Sequence, residues 1–400
     1  MTRGVGGSTA ARELDSLEPW AEHAPAITSG ERDARLDRAR ELTAAAGADA
    51  LLIGAGASLR YFTGVAWAQS ERLVALVLPV SGRPVMICPA FELGSLQAAL
   101  LQDVDIRVWE EHEDPCALVA TPLADFGLDV LALDPQLPFF VVDGLRRAGP
   151  SLSLVNAAPV VDGCRRVKST AELALMRQAK AMTLEVQRRA ALVLAPGVTT
   201  TEIRRFIDQA HRRIGADAGS SFCAVQFGEA TQYPHGLPGA QTLSEGDLVL
   251  IDTGCQVQGY NSDITRTYVF GEPTPEHRRV WEVERQAQQA AFDAVWPGVP
   301  CAAIDETARR VLHAAGFGPD YQLPGLPHRT GHGIGLSVHE APYLVRGDNT
   351  PLEPGMCFSN EPMIVIPGAF GIRLEDHFHV TEAGAAWFTQ PSHSIDAPFG

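Results

Sequence analysis

The chain has 400 residues, 46% of them hydrophobic, with 48 acidic against 32 basic side chains and a formal charge of −16. That length suits two or three domains with substantial cores, and the negative balance disfavours nucleic acid or an anionic membrane as a partner. No apolar h-region opens the sequence and no window approaches a membrane span, while seven cysteines with no Cys-x-x-Cys pair point to reduced thiols in the cytoplasm.

In chain order, residues 1–28 are punctuated by Gly, Ala and Pro and read as a flexible N-terminal segment. Residues 29–162 then alternate. A helix runs from Glu31 to Ala45, strands fall at 51–53, 73–78 and 85–88, and a helix near 91–101 precedes a strand at 106–109. A further strand and helix start at Val130. Such alternation predicts a small α/β domain, and the lack of a Gly-x-Gly-x-x-Gly after a strand disfavours a dinucleotide fold. The boundary is placed in Val161–Lys168, so the last domain spans 163–400. It opens on a capping box, Ser169-Thr-Ala-Glu172, with Leu173, Met176, Met182 and Val186 directed to a core. Thr199–Glu202 repeats the device, Thr274-Pro275 opens a third helix, and a helix from Ala302 stops at Gly316. Helices around ligand-bearing strands predict an α+β catalytic half.

Five residues carry the chemistry: Asp252, Asp263, His332, Glu361 and Glu375. Asp247–Asp252 and Tyr260–Phe270 read as strands. If they form a hairpin in which Asp252 faces Asp263, the turn centres between Val257 and Gln258, just before Gly259; Glu361 facing Glu375 centres a second turn on Gly368. Each hairpin then presents two carboxylates on one face. Singly, Asp252 is a turn residue, Glu361 a strand end and His332 a loop histidine. Together, four acids and an imidazole in one place need a compensating charge, and an oxygen-rich set suits Mn, Co or Fe better than a closed Cys-rich zinc site. Two bridged divalent ions activating a water is the expected chemistry. Cys255, near Asp252, is read as a small buried apolar residue, and His377 and His379 as supporting or surface groups.

The ordered set, with the strings Gly259-Tyr-Asn-Ser-Asp-Ile-Thr-Arg-Thr267 and His328-Arg-Thr-Gly-His-Gly-Ile-Gly-Leu-Ser-Val-His-Glu340, resembles the pita-bread metallopeptidases, in particular the Xaa-Pro dipeptidase (prolidase) and Xaa-Pro aminopeptidase branch. The resemblance implies a pita-bread catalytic domain behind a smaller creatinase-like α/β domain that serves dimerisation and active-site closure. It implies two divalent ions, manganese first, with cobalt, iron or zinc as alternatives. Asp263 and Glu375 would bridge both ions, Asp252 would hold one, and His332 and Glu361 the other. It further implies His339 on the oxyanion side, His235 on the leaving side, Glu361 as a proton relay and Arg373 orienting carboxylates. Strand parity, as counted here, puts Arg373 on the face opposite Glu375 unless a bulge intervenes. The expected substrate is an Xaa-Pro dipeptide, with longer Xaa-Pro peptides, another amide, or a non-catalytic binding role as alternatives, and the expected assembly is a homodimer. Two departures stand out. Val365 replaces the family's tyrosine, and Tyr343 and Thr350 occupy the slots of its carboxylate-binding arginine, with Arg346 nearby but not aligned. Arg72, reaching from the N-terminal domain of a partner copy, is the expected substitute.

Overall fold

The computed structural model describes residues 2–125 and 127–399 and divides into two compact units, 27–165 and 166–400 together with the first 26 residues.

The N-terminal unit is built on one six-stranded mixed sheet. Its strands are β1 (Ala50–Gly54), β2 (Ala75–Pro79), β3 (Val85–Pro89), β4 (Asp105–Trp109), β5 (Val130–Leu133) and β6 (Ser153–Asn156), in the order β4-β3-β2-β1-β5-β6. The predicted runs at 51–53, 73–78 and 86–88 are buried on both faces, Leu51, Leu52 and Ile53 completely, as expected where helices cover a sheet, whereas the run at 106–109 lies on the edge strand with Val108 exposed. The helix over Ser29–Ala45 starts at Thr28, whose hydroxyl accepts from Glu31 N. Helices over Ala57–Thr63, Pro115–Asp125 and Ala158–Arg165 escaped the sequence reading; the first and last are only a turn or two long.

In the C-terminal unit the predicted capping devices are all present. Ser169 and Glu172 cap the helix Thr170–Leu192, Thr199 and Glu202 the helix Thr200–Ile214, and Thr274 with Pro275 the helix Pro275–Asp293. Each such cap contributes about 1 kcal/mol. Along the first helix Leu175, Met176, Met182 and Val186 are buried, while Leu173 is only half-buried. A fourth helix covers Cys301–Ala314.

Strands β7 (Ser220–Phe227), β8 (Leu248–Val257), β9 (Tyr260–Asn261) and β10 (Ile264–Val269) form one sheet. Strands β11 (Gly331–Gly333), β12 (Glu340–Leu344), β13 (Cys357–Asn360), β16 (Asp376–Thr381) and β17 (Gly384–Trp387) form another. A separate ladder joins β14 (Met363–Ile366) to β15 (Phe370–Arg373). Trp281, Ile304, Leu312, Phe358, Ile364 and Phe378 belong to one core that joins the last two helices to these strands.

The first 26 residues, expected to be loose, instead lie against this unit. Thr2 N donates to Gly271 O, Gly6 N to Ala191 O and Trp20 N to Ile214 O, and Arg189 reaches Glu13. Backbone hydrogen bonds of this kind leave no hydrophobic period to read. Among the described residues no helix is long and apolar enough to cross a membrane, and all seven cysteines are free.

Candidate metal centre

The first hairpin closes one residue later than the index arithmetic placed it. Gln258 and Gly259 form a two-residue turn with φ of 50° and 81°, the left-handed pair that matches strand twist. The Asp217 carboxylate accepts from both turn amides, at 2.9 and 2.7 Å. Val257 therefore pairs with Tyr260, and Asp252 with Thr265 rather than with Asp263. Because the shift is two positions along the partner strand, Asp263 keeps its face and lies diagonal to Asp252. Gly254 is required here, since a Cβ would stand 1.9 Å from Ser262 O.

The second hairpin turns at Gly368 as expected, with Ile366 opposite Phe370 and Met363 opposite Arg373. Beyond a short break the same register resumes in another sheet, where Asn360 faces Asp376. The two acids sit in that break and bond elsewhere: Glu361 N donates to Thr330 O and Glu375 N to Thr265 O. Leaving the ladder is what carries Glu375 onto the first hairpin and Glu361 onto the histidine strand.

His332 on β11 completes the group. Its Nδ1 lies 3.0 Å from Gly333 O; a carbonyl only accepts, so Nδ1 carries a proton and Nε2 is the nitrogen turned toward the acids. That Nε2 is 3.2 Å from Glu361 Oε1 and 3.7 Å from Asp263 Oδ2. Gly331 lets the strand approach β13, because a Cβ there would meet Ser359 O at 2.1 Å.

All five side chains are at least largely buried, and their charges conflict. Burial first, then the neighbouring carboxylates, push Asp263 and Glu375 well above the usual carboxylate range. Burial also raises Asp252, against the pull of Arg373. Glu361 goes the other way: its burial is outweighed by the hydrogen bond and charge of His332. Among the described residues Arg373 is the one guanidinium bonded to a side chain of the group. It is 3% exposed, and donates to Asp252 Oδ2 at 2.5 Å, Thr265 Oγ1 at 3.1 Å and Pro234 O at 3.1 Å. Two residues from Glu375 it shares that residue's side of the strand, so the opposite-face expectation was a miscount of the alternation. Thr265 in turn donates to Glu375 Oε2 at 2.8 Å.

The donor set fits divalent metal. Asp252 Oδ1, Asp263 Oδ1 and Glu375 Oε1 are buried without a hydrogen-bond partner, which is costly unless a cation meets them. Candidate ligand atoms of His332, Glu361 and Glu375, and of Asp263, His332 and His339, fall within 4.8 Å of one another.

The flanking histidines occupy the rim. His339 is exposed, its ring 4.2 Å from that of His332 and edge-on to it. Burial of part of the ring, then the charges of His332 and Arg329, lower it to about 4, so it is neutral at pH 7. The adjacent Glu340 is anchored by Lys168 at 2.5 Å. His235 is exposed on the turn whose Pro234 carbonyl Arg373 holds, within electrostatic reach of His339 and His328.

Neither Arg72, the predicted substitute for the family's arginine, nor the nearby Arg346 is idle. Arg72 makes a bidentate pair with Glu111, at 3.0 and 3.1 Å, inside the N-terminal unit, and Arg346 pairs with Asp320. The sequence reading passed over Arg329. Its guanidinium lies 4.4 Å from the ring centre of Tyr343, one of the two residues in the arginine slots, and among the described residues no hydrogen bond or ion pair of that guanidinium is present, Arg329 bonding only through its carbonyl to His328 Nδ1. Fourteen residues separate the two, so only the β11–β12 pairing reveals the contact.

The model for metallopeptidase family M24 matches residues 174–382. The chain belongs to metallopeptidase family M24. A creatinase/prolidase N-terminal domain matches residues 35–167 ahead of the M24 domain, so the expected order, a creatinase-like α/β domain before a pita-bread catalytic domain, holds. The "Probable dipeptidase PepE" of Mycobacterium tuberculosis is 38% identical over 371 residues, 90% of this chain and 95% of that protein. Among M24 structures, dipeptidase PepE from Mycobacterium ulcerans superposes with a TM-score of 0.86 at 37% identity, covering 94% of this chain and 100% of that one. A prolidase from Thermococcus sibiricus gives 0.83 at 28% identity, covering 92% and 98%. The chain is thus a metal-dependent peptidase of the M24 type.

Proposed function

We propose that this chain is an Xaa-Pro dipeptidase that works with two divalent ions, manganese first. The observation that carries the reading is four buried carboxylates served by one bonded guanidinium, with three oxygens left without partners. Asp263 and Glu375 would hold both ions, Asp252 one, and His332 with Glu361 the other. Such a pair lowers the pKa of a water toward neutrality and polarises the amide carbonyl.

The protein's own groups do the rest. His339, neutral and at the rim, has one N–H to give to the oxygen of the tetrahedral intermediate, and a donor of this kind is worth roughly two to three orders of magnitude in turnover. Glu361 accepts a proton from the attacking water and passes it toward the proline nitrogen as the bond breaks. His235 lies on the leaving side, on a turn that Arg373 fixes relative to Asp252. The free carboxylate of a dipeptide needs a cation, and Arg329 on Tyr343 supplies one without breaking an existing ion pair. Arg72, the alternative, would have to leave Glu111. The names of the relatives, dipeptidase and prolidase, support the small-peptide reading.

We further infer a cytoplasmic homodimer. The seven unpaired cysteines support a reducing compartment, and exposed Phe91, Phe139 and Phe140 on the N-terminal unit support association. The deciding experiment strips the protein with a chelator, restores Mn(II) or Co(II), and assays Xaa-Pro dipeptides against Xaa-Pro-Xaa tripeptides. Activity lost with metal and regained on dipeptides is expected. Full activity without metal removes the mechanism, and preference for tripeptides moves the protein to the aminopeptidase class.

A further inference from the structure

His377 stands out among the buried groups that the mechanism leaves unused. It lies on β16 two residues beyond Glu375, faces Ser359 across the ladder and is fully buried. Both ring nitrogens are without a hydrogen-bond partner. A buried polar group left in that condition costs about 1–3 kcal/mol; His379, two residues on and half-exposed beside Phe388, has one such nitrogen, Nδ1, where His377 has two.

The ring has one direction in which a partner is on offer. His377 Nε2 is 3.9 Å from Glu375 Oε1, itself a buried oxygen with no partner. Ligand atoms of Asp263, Glu375 and His377 all lie within 4.8 Å of one another. Two atoms bound to one ion at about 2.0–2.2 Å each can be no more than about 4.4 Å apart. The 3.9 Å gap is too long for a hydrogen bond, yet within that limit, as is the 3.7 Å between His332 Nε2 and Asp263 Oδ2.

We propose that His377 is a sixth protein ligand of the metal centre, giving its nitrogen to the ion shared with Asp263 and Glu375. The inference rests on the two-ion reading above and deepens it. With His332 and His377 the centre has two imidazoles rather than one, which moves a site of oxygen donors toward the metals that imidazole suits, zinc, iron and cobalt-like ions, at the expense of manganese. His332 is oriented by Gly333 O, whereas no hydrogen bond fixes the His377 ring, so metal is what orders it.

The test uses the whole chain, stripped of metal and dialysed against Mn(II) or Co(II), with metal content measured before and after. Pulsed electron paramagnetic resonance on the Mn(II) protein counts the coordinated imidazole nitrogens, and titration gives the affinity of each ion. Two imidazoles are expected in the parent protein and one in His377→Asn, with one ion bound at least tenfold more weakly and Co(II) favoured less over Mn(II). The variant His332→Ala should keep one imidazole signal, which decides the matter if His377→Asn does not fold. An unchanged nitrogen signal in His377→Asn, or none in His332→Ala, overturns the ligation. Weaker binding with both imidazoles still present would make His377 a support for Glu375 and overturn it equally. If the parent protein takes up no metal, the two-ion reading falls with it; if it takes up metal through a single imidazole, only this inference falls.

Discussion

Replacing Arg266 with Met should expose how much of the site's architecture rests on one buried ion pair. Arg266 and Asp376 are both 0% exposed. The guanidinium meets Asp376 at 2.7 and 3.1 Å and also donates to the carbonyls of Thr265, Glu375 and Gln390, five hydrogen bonds in all. It thereby ties β10 to β16 at the point where Glu375 leaves its ladder. Truncation strands Asp376 with one weak donor, Gln288 at 3.3 Å. Removing one partner of such a pair costs about 3–5 kcal/mol, which is roughly two to four powers of ten in the unfolding equilibrium. Burial already raises the Asp376 pKa, with Arg266 opposing it, so the variant should raise it further. A carboxyl with a raised folded pKa destabilises fully above that folded value, and the penalty shrinks as pH falls through it and vanishes at the unfolded value. The deficit should therefore shrink on acidification. Urea unfolding of the metal-free protein, followed by the fluorescence of buried Trp281, gives the numbers. The double variant Arg266→Met/Asp376→Leu should be more stable than Arg266→Met alone, because no charge is then left buried. A single-variant cost below about 1 kcal/mol, or a double variant less stable than the single, would refute the assignment.

Gly254→Ala should lose metal binding and lower the melting temperature by several degrees, since the added carbon meets a backbone oxygen that cannot retreat; metal analysis and calorimetry check both. His211, held between Thr183 and Ser220, is lowered by burial to about 4. Its folded pKa is depressed, so stability is complete above about 6.5 and falls by roughly 3 kcal/mol as pH drops toward 4; His211→Gln should flatten that slope. Arg329→Met should raise KM for Xaa-Pro dipeptides by about ten- to a hundredfold, the worth of a charge-assisted hydrogen bond, with tripeptides little affected. If Arg72→Ala does this and Arg329→Met does not, the carboxylate partner has been misassigned.

The four acids and the histidine were legible because residue type and order survive any error of register. The register itself was not: Gln258 adopts a positive φ under the hold of Asp217, 41 residues away, and nothing in the local sequence announces it. The second hairpin was read correctly because Gly368 marks its own turn. Its break at Glu361 and Glu375 was invisible, since strand period continues across it while the bonding partner changes. Arg329 was passed over, and His377 was read only as a supporting or surface group, for a shared reason. What distinguishes each is the lack of a bonding partner, and that is a property of surroundings drawn from several distant segments.

Arg373 grips the rim through the carbonyl of Pro234 and not through any side chain of the turn. The turn's position is therefore specified independently of the residues it displays. Tyr233 and Leu237 stand exposed there beside His235. Positions 233 and 237 can thus be diversified to recruit new peptides, or worn down by drift, while His235 between them and the charged machinery beneath stay in register.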